Sequence, residues 1–551
     1  MASASANLSS LKSSLADSAF EARVLREAGI LAPMRPDKAL KVGSTFLRWG
    51  ASPATGVATA AIHHPHELAV IDERGSLTWE RLQRRSNALA HSFAALGIGP
   101  GDGVGIMCRN HRGFLEATLA TAKLGASALY LNTMFAGPQL VEVTRREGPK
   151  ALVYDEEFAG LLDGVPDSVH RVAAWTEAGA GGAELTLEQL IGAGSDEDLK
   201  PPPEKPRFVI LTSGTTGTPK GAQRSSPDGL FTLAALIDKI PFRSRMTMMI
   251  AAPLFHSWGF SHFIISLPTA ATMVLRRRFD PEETLRAAQR NRAEVLAAVP
   301  VMVQRILELP DEVLDAYDLS SLRITSLSGS ALPGELATAW MDRFGDNVYN
   351  LYGSTEVAYA TVATPEDLRA APGTAGKPPR GTRIKLYDEE GREVPQGAVG
   401  RIFVGNDMSF EGYTGGGNKE AIDGLLSSGD VGHFDEAGRL FIDGRDDEMI
   451  VSGGENVFPR EVEDLLADLD GVVEVAVIGV EDSTFGQRLK AFIVLRDGAE
   501  LTEAEVSAHV KANLASFKAP REVEFLAELP RNATGKVLKR ELHEREAQRS
   551  G

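Results

Sequence analysis

A chain of 551 residues, 43% hydrophobic and 24% charged, exceeds what one hydrophobic core supports and allows roughly three or four folding units. Its net charge of −17 argues against nucleic acid as a partner, because phosphate backbones are met by basic surfaces. Cys108 is the single cysteine, which excludes an internal disulfide and a multi-cysteine metal site and fits a reducing cytoplasm.

The opening MASASANLSSLKSSLADSAF has neither a basic start nor a long apolar run, so it does not read as a secretory signal. Residues 1–60 mix short helical patterns with Pro, Gly and Ala and read as an arm packed on the body. A peripheral membrane-facing helix around Phe20 to Leu31 is the alternative. From AVIDERGSLTWERLQRRSNALAHSFAALGI onward, short apolar strands alternate with helices of 3.6 period, Leu82, Ala88, Leu89 and Phe93 marking one helical face. GVGIMC, ALVYD, FVILTS, TMMIAAP, ATMVLRRRF, VLAAVP and RITSLSGS continue the alternation. Such a pattern predicts mainly parallel sheets flanked by helices, with ligands at the loops leaving the strand ends. SHFIISLPTAATMVL is the most apolar stretch, but Pro268 and its hydroxyl residues make it a buried core segment.

After about residue 380, TRIKLYDEEGREVPQGAVGRIFVGN changes texture to short strands with glycine turns and predicts a β-rich subdomain over about 380–443. From GRDDEMIVSGGENVFPREVEDLL to the end the chain reads as a separate, small α+β unit. The expected division is therefore an arm (1–60), a large domain (61–446) and a small mobile domain (447–551), of overall α/β class.

The stretch LTSGTTGTPKGA, after the apolar run FVI, can wrap an anion: glycines allow φ > 0, backbone N–H groups point inward, hydroxyls add donors and Lys220 adds charge. A solvated turn is the competing reading of such a loop, and it is neither G-x-x-x-x-G-K-[ST] nor G-x-G-x-x-G. Four further stretches follow in order: SLSGSALPGEL, YNLYGSTE, SSGDVGHFDEAGRLFIDGRDDEMI and PRNATGKVLKREL. Together, over about residues 65–545, they resemble the adenylate-forming family of acyl-CoA synthetases, peptide-synthetase adenylation domains and luciferases.

The resemblance implies ATP, Mg²⁺ and coenzyme A as cofactors and a role for each motif. Thr212, Ser213, Gly214, Thr215, Thr216, Gly217 and Lys220 would handle the β- and γ-phosphates. Gly329, Ser330 and Ala331 would pack on adenine. The backbone of Tyr352, Gly353 and Ser354 would lie beside adenine and the acyl end, with Thr355 and Glu356 holding Mg²⁺ and phosphate oxygen, a hard-oxygen pairing suited to that ion. Asp430 would take the ribose hydroxyls and Arg445 a hydroxyl and a phosphate. Lys536 would be the catalytic cation of adenylation, Asp447 the hinge, and Gly453 and Gly454 part of the pantetheine tunnel after the small domain swings.

APLFHSWGFSHF bears on the acid. An amino-acid substrate needs a buried carboxylate to pair its ammonium, and this chain has His256 there, so an α-amino acid is disfavoured. His256 would stand at the acyl end, with Trp258, Phe260, Val301, Met302, Tyr352, Val357 and Ala358 as an apolar wall. An aliphatic acid of medium or long chain follows, condensed with coenzyme A in two half-reactions that need no protein nucleophile. A ligase loading a carrier protein, an aryl-CoA ligase and a non-catalytic adenylate-binding protein are the alternatives. Membrane contact is expected to be peripheral at most, and monomer and homodimer both stay open.

Overall fold

The computed structural model describes residues 2–177, 185–212, 220–224, 229–408, 410–413, 418–448, 450–452, 455–482, 486–514, 518–532 and 535–550. The candidate residues Ser213, Gly214, Thr215, Thr216, Gly217, Gly453 and Gly454 lie outside the described residues.

The apolar runs read as strands build two large sheets. Among the described residues, the first has eight strands in the order Thr361–Ala363, Val348–Tyr352, Ile324–Leu327, Val295–Ala298, Thr247–Ile250, Thr272–Leu275, Leu68–Asp72 and Gly75–Thr78. Its six central strands pair in parallel, and each end strand is antiparallel. Helices cover both faces, so strands such as Val295–Ala298 are buried at every position, the continuous apolar texture expected of a doubly covered sheet. The second sheet runs Phe410–Tyr413, Lys220–Arg224, Phe208–Thr212, Ser127–Tyr130, Gly103–Met107, Ala151–Asp155 and His170–Trp175, its first two strand pairings antiparallel and the rest parallel. Cys108 is buried at the end of one of its strands.

A third sheet of short antiparallel strands spans Arg383–Tyr387, Gly400–Gly405, Ala421–Ile422, Leu425–Phe434 and Leu440–Arg445. A fourth takes strands only from Ile450 onward, with helices Pro459–Ala467, Glu503–Asn513 and Lys539–Ser550. One short helical turn, Asp446–Glu448, joins the third sheet to the fourth and contains Asp447. Arg401 Nε holds Asp446 at 2.9 Å, and Lys539 Nζ holds Glu448 at 3.0 Å, so the turn is anchored on each side by a different sheet or helix.

The first sixty residues form helices α1 (Ala2–Glu27) and α2 (Pro36–Trp49) and the start of α3 (Pro53–His63). Phe20, Val24, Leu25 and Ala28 are buried, α1 packing on helix Phe231–Lys239. The arm is shorter than 1–60. Pro53, Ala54, Val57 and Ala60 are buried where α3 packs on helices Ser257–Thr269, Trp79–Ala95 and Arg112–Lys123. Among the described residues, no helix is long and apolar enough to cross a membrane.

Candidate active site

Four neighbouring parallel strands of the first sheet end at one cavity of about 1090 Å³. Thr247–Ile250 leads into Ala252, Pro253 and His256; Val295–Ala298 into Val299, Pro300 and Val301; Ile324–Leu327 into Ser328, Gly329, Ser330 and Ala331; Val348–Tyr352 into Gly353, Ser354, Thr355 and Glu356. All of these residues line the cavity, at the carboxyl edge where open α/β sheets place ligands. The motifs, far apart in sequence, thus meet because their strands are neighbours.

Gly353 has a local reason to be glycine: a Cβ there would fall 2.1 Å from the carbonyl oxygen of Ala358. Ser354 Oγ accepts the backbone N–H groups of Glu356 (3.2 Å) and Val357 (3.3 Å), a capped turn that aims the next side chains. Glu356 Oε1 receives the Tyr413 hydroxyl at 2.8 Å, and Thr355 Oγ1 lies 3.4 Å from Ser257 Oγ. Burial, and then the Glu356 carboxylate, raise the Tyr413 phenol above its ordinary range, so Tyr413 stays a proton donor.

Asp430 and Arg445 sit opposite each other on the hairpin of strands Leu425–Phe434 and Leu440–Arg445, with Arg445 Nη1 3.7 Å from Asp430 Oδ1. The Tyr352 hydroxyl donates to Asp430 Oδ2 at 2.5 Å and lies 3.1 Å from Ser428 Oγ. Burial raises the Asp430 carboxyl above the usual range, against the opposing pull of Tyr352, Arg445 and Lys536. The Tyr352 phenol is itself pushed well up by burial and by Asp430, so the proton stays on the phenol.

Lys536 lines the same cavity although it belongs to the fourth-sheet unit. Its turn is closed by Asn532, whose Oδ1 accepts the Lys536 N–H at 2.9 Å and whose own N–H reaches the Lys536 carbonyl at 2.9 Å. Arg531 donates to the Gly535 carbonyl and pairs with Glu474 at 3.0 Å. Gly535 adopts φ +79° and rests on Val301.

His256 precedes helix Ser257–Thr269 and is half-buried, its buried Nε2 lacking any hydrogen-bond partner among the described residues. Burial lowers its pKa to about 4, so the ring is neutral at physiological pH. Trp258 and Phe260 also line the cavity. Trp258 is fixed by its Nε1 donating to the Ser326 carbonyl (3.2 Å), and Phe260 packs among Tyr130, Phe208 and Phe263.

Two wall assignments are corrected. Val357 is buried in the core of the third sheet with Leu386, Ile402 and Val404. The adjacent Ala358, at φ +61°, turns the chain so that it lines the cavity while Val357 faces away. Met302 is likewise turned inward, into the core with Val303, Ile306 and Trp340. The sequence reading missed Tyr413, which sits on a strand with no motif of its own, and gave no role to Ser428, although it lies two residues before Asp430 in the SSGDVG stretch. It also missed the far wall of the cavity: Gly56, Thr59 and Ala60 of α3, Leu233 and Leu236 of helix Phe231–Lys239, and Val42 and Phe46 of α2. The helical spacing of these residues is a visible signal, but nothing in it says that the faces converge.

Residues 57–414 match the AMP-binding enzyme family, and residues 461–536 match the AMP-binding enzyme C-terminal domain. The chain belongs to the AMP-binding enzyme family. Feruloyl-CoA synthase of an Amycolatopsis species is 33% identical over 494 residues, covering 87% of this chain and 96% of that protein. Fatty acid–[acyl-carrier-protein] ligase ScoC of Streptomyces coeruleorubidus is 31% identical over 509 residues, 89% of this chain and 96% of its own. Among solved structures, the anthranilate CoA ligase AuaEII in complex with anthranoyl-AMP superposes with a TM-score of 0.81 at 26% identity, covering 92% of this chain and 98% of that one.

ATP, Mg²⁺ and coenzyme A are the cofactors of the acyl-CoA ligases of this AMP-binding family, and the cavity's donor set fits them. The Glu356 carboxylate and Thr355 hydroxyl are hard oxygen donors of the kind Mg²⁺ takes. Arg445 and Lys536 supply the cationic side of an anion site, and Asp430 supplies a buried acceptor.

Proposed function

We propose that the protein is an AMP-forming acid–thiol ligase that activates medium- to long-chain fatty acids and transfers the acyl group to coenzyme A. One observation carries the choice of acid. The cavity continues from His256 along one side of helix Ser257–Thr269, where Ser257, Ser261, Ile264, Ile265 and Pro268 run its length beside Trp258, Phe260 and Leu267, and Gly56, Thr59, Leu233, Leu236 and Ile240 complete the wall. A helix of 13 residues is about 20 Å long, the scale of an extended fatty chain rather than a single aromatic ring.

In the first half-reaction a carboxylate oxygen of the acid bonds to the α-phosphorus of ATP, and pyrophosphate leaves. Two anions must approach, so Lys536 and Arg445 lower the barrier by offsetting charge where it develops. Bound Mg²⁺ supplies further charge neutralisation at the phosphates. Asp430 accepts the ribose hydroxyls and is oriented by Tyr352. Neutral His256 offers Nε2 at the acyl end, where it can donate to a carboxylate or carbonyl oxygen without adding charge. In the second half-reaction the thiol sulfur bonds to the acyl carbon and AMP leaves. Asp447, in the turn between the third and fourth sheets, is the position about which the small domain would rotate between the two steps.

The similarity to ScoC keeps a carrier protein in view as the acceptor. Purified protein with ATP, Mg²⁺ and a panel of fatty and aromatic acids, scored for pyrophosphate release with and without coenzyme A, decides both points. Fatty acids should release pyrophosphate, and coenzyme A should turn that into acyl-CoA. Release with aromatic acids alone sinks the fatty-acid reading; release without thioester sinks coenzyme A as acceptor.

A further inference from the structure

Leu31 and Phe46 line the cavity and are themselves exposed, so the cavity reaches the surface beside α2. No residue of α2 is buried, and its inward face, Val42 with Phe46, lines the cavity. Its outward face carries Leu40 and Leu47, seven residues apart and therefore on one side of the helix, exposed by 76% and 88%. Leu31, on the cavity wall, is 51% exposed. An apolar ridge of this kind on a soluble surface marks a contact site. Lys41 and Arg48, also seven residues apart, run beside the ridge, while Asp37 is the helix's one acidic residue. Against a chain of net charge −17, a basic row beside exposed leucines is local charge placement that complements an anionic surface.

We propose that α2 is a peripheral anchor that seats the protein on an anionic lipid bilayer with the adjoining side of the acyl cavity facing the membrane. The placement rests on the fatty-acid reading: a water-insoluble acid dissolved in the bilayer would meet the lip formed by Leu31 and Phe46 and enter without crossing bulk water. The apolar ridge would lie in the headgroup boundary while Lys41 and Arg48 face lipid phosphates.

The test uses the full chain without substrate, floated with vesicles of phosphatidylcholine alone or mixed with phosphatidylglycerol. Co-flotation should require phosphatidylglycerol and weaken at high salt. The pair Leu40→Glu and Leu47→Glu should lower the bound fraction at least tenfold, and Lys41→Glu with Arg48→Glu should remove the phosphatidylglycerol dependence. Both variants should keep wild-type pyrophosphate release with octanoate in vesicle-free buffer, which shows that they are folded. Failure of the wild-type chain to bind, or equal binding by the leucine variant, overturns the proposal. So does a dimer, seen by sedimentation, that the leucine variant dissolves while vesicle binding is absent, because α2 would then cover a second copy. The fatty-acid reading fails separately, by absent release with every fatty acid in the vesicle-free assay.

Discussion

Gly535 and Val301 touch across the boundary between the small unit and the large domain: a Cβ built on Gly535 would lie 2.1 Å from Val301 Cγ1. The neighbouring Lys536 is carried into the cavity on that contact. Gly535→Ala would have to push the turn away from Val301 and also hold alanine at φ +79°, a region costly to residues with a Cβ. Misplacing a catalytic cation by about 1 Å can cost on the order of a hundredfold in rate. Gly535→Ala should therefore slow pyrophosphate release about a hundredfold, and Lys536→Ala should slow it at least as much. Thioester formation from supplied acyl-AMP should stay within a few-fold of wild type. Equal loss of both steps would contradict separate placements of the small domain.

Tyr352 and Asp430 predict a pH effect. The Asp430 carboxyl is already raised by burial, and the Tyr352 hydrogen bond is the first of the interactions that pull it back down. Tyr352→Phe removes that donor, so ionised Asp430 becomes harder to maintain. The acid limb of kcat/KM for ATP should move to higher pH, with KM changing more than kcat. A profile superimposable on wild type would show that Tyr352 only fills space.

His256 makes a prediction about stability. Its folded-state pKa of about 4 lies below the model-peptide value near 6.5, so the unfolded chain binds more protons between those values. Stability from this residue is complete above about pH 6.5 and is lost as pH falls towards 4. The full loss is about 3 kcal/mol, from the size of the shift. The His256 ring resonance should not titrate in NMR above pH 5, and His256→Asn should show a smaller drop in Tm between pH 7 and pH 5 than wild type does.

Chain-length selection should respond to the middle of helix Ser257–Thr269. Ile264 lies seven residues from Ser257 on the lining side, about 10 Å along the helix. Ile264→Trp should lower kcat/KM for long-chain acids at least about tenfold while sparing short ones. A uniform fall for all chain lengths would mean that the substrate does not follow this side of the helix.

The motifs and the strand–helix alternation were legible because they are local: a strand, its loop and its ligand-facing residues are contiguous, and the sheet then gathers them. Relations between distant segments were not. Tyr352 and Asp430 are 78 residues apart, and no spacing rule joins a tyrosine on one sheet to an aspartate on another. Val357 was misplaced because one backbone rotation at Ala358 decides which neighbour sees the cavity. The N-terminal wall escaped because amphipathic helices announce a buried face without naming what it faces.

The Tyr413 hydroxyl on Glu356 has a consequence for how this protein can change over evolution. Tyr413 pairs with Ala222, on the strand that carries the chain out of the Gly/Thr-rich segment, and that strand is zipped against Phe208–Thr212. A residue added to or removed from that hairpin's strands would slip the register and turn alternate side chains to the opposite face. Tyr413 would then release Glu356, two motifs away. Such drift can freely exchange residue types between these strands, but their length is yoked to the geometry of a carboxylate on a different sheet.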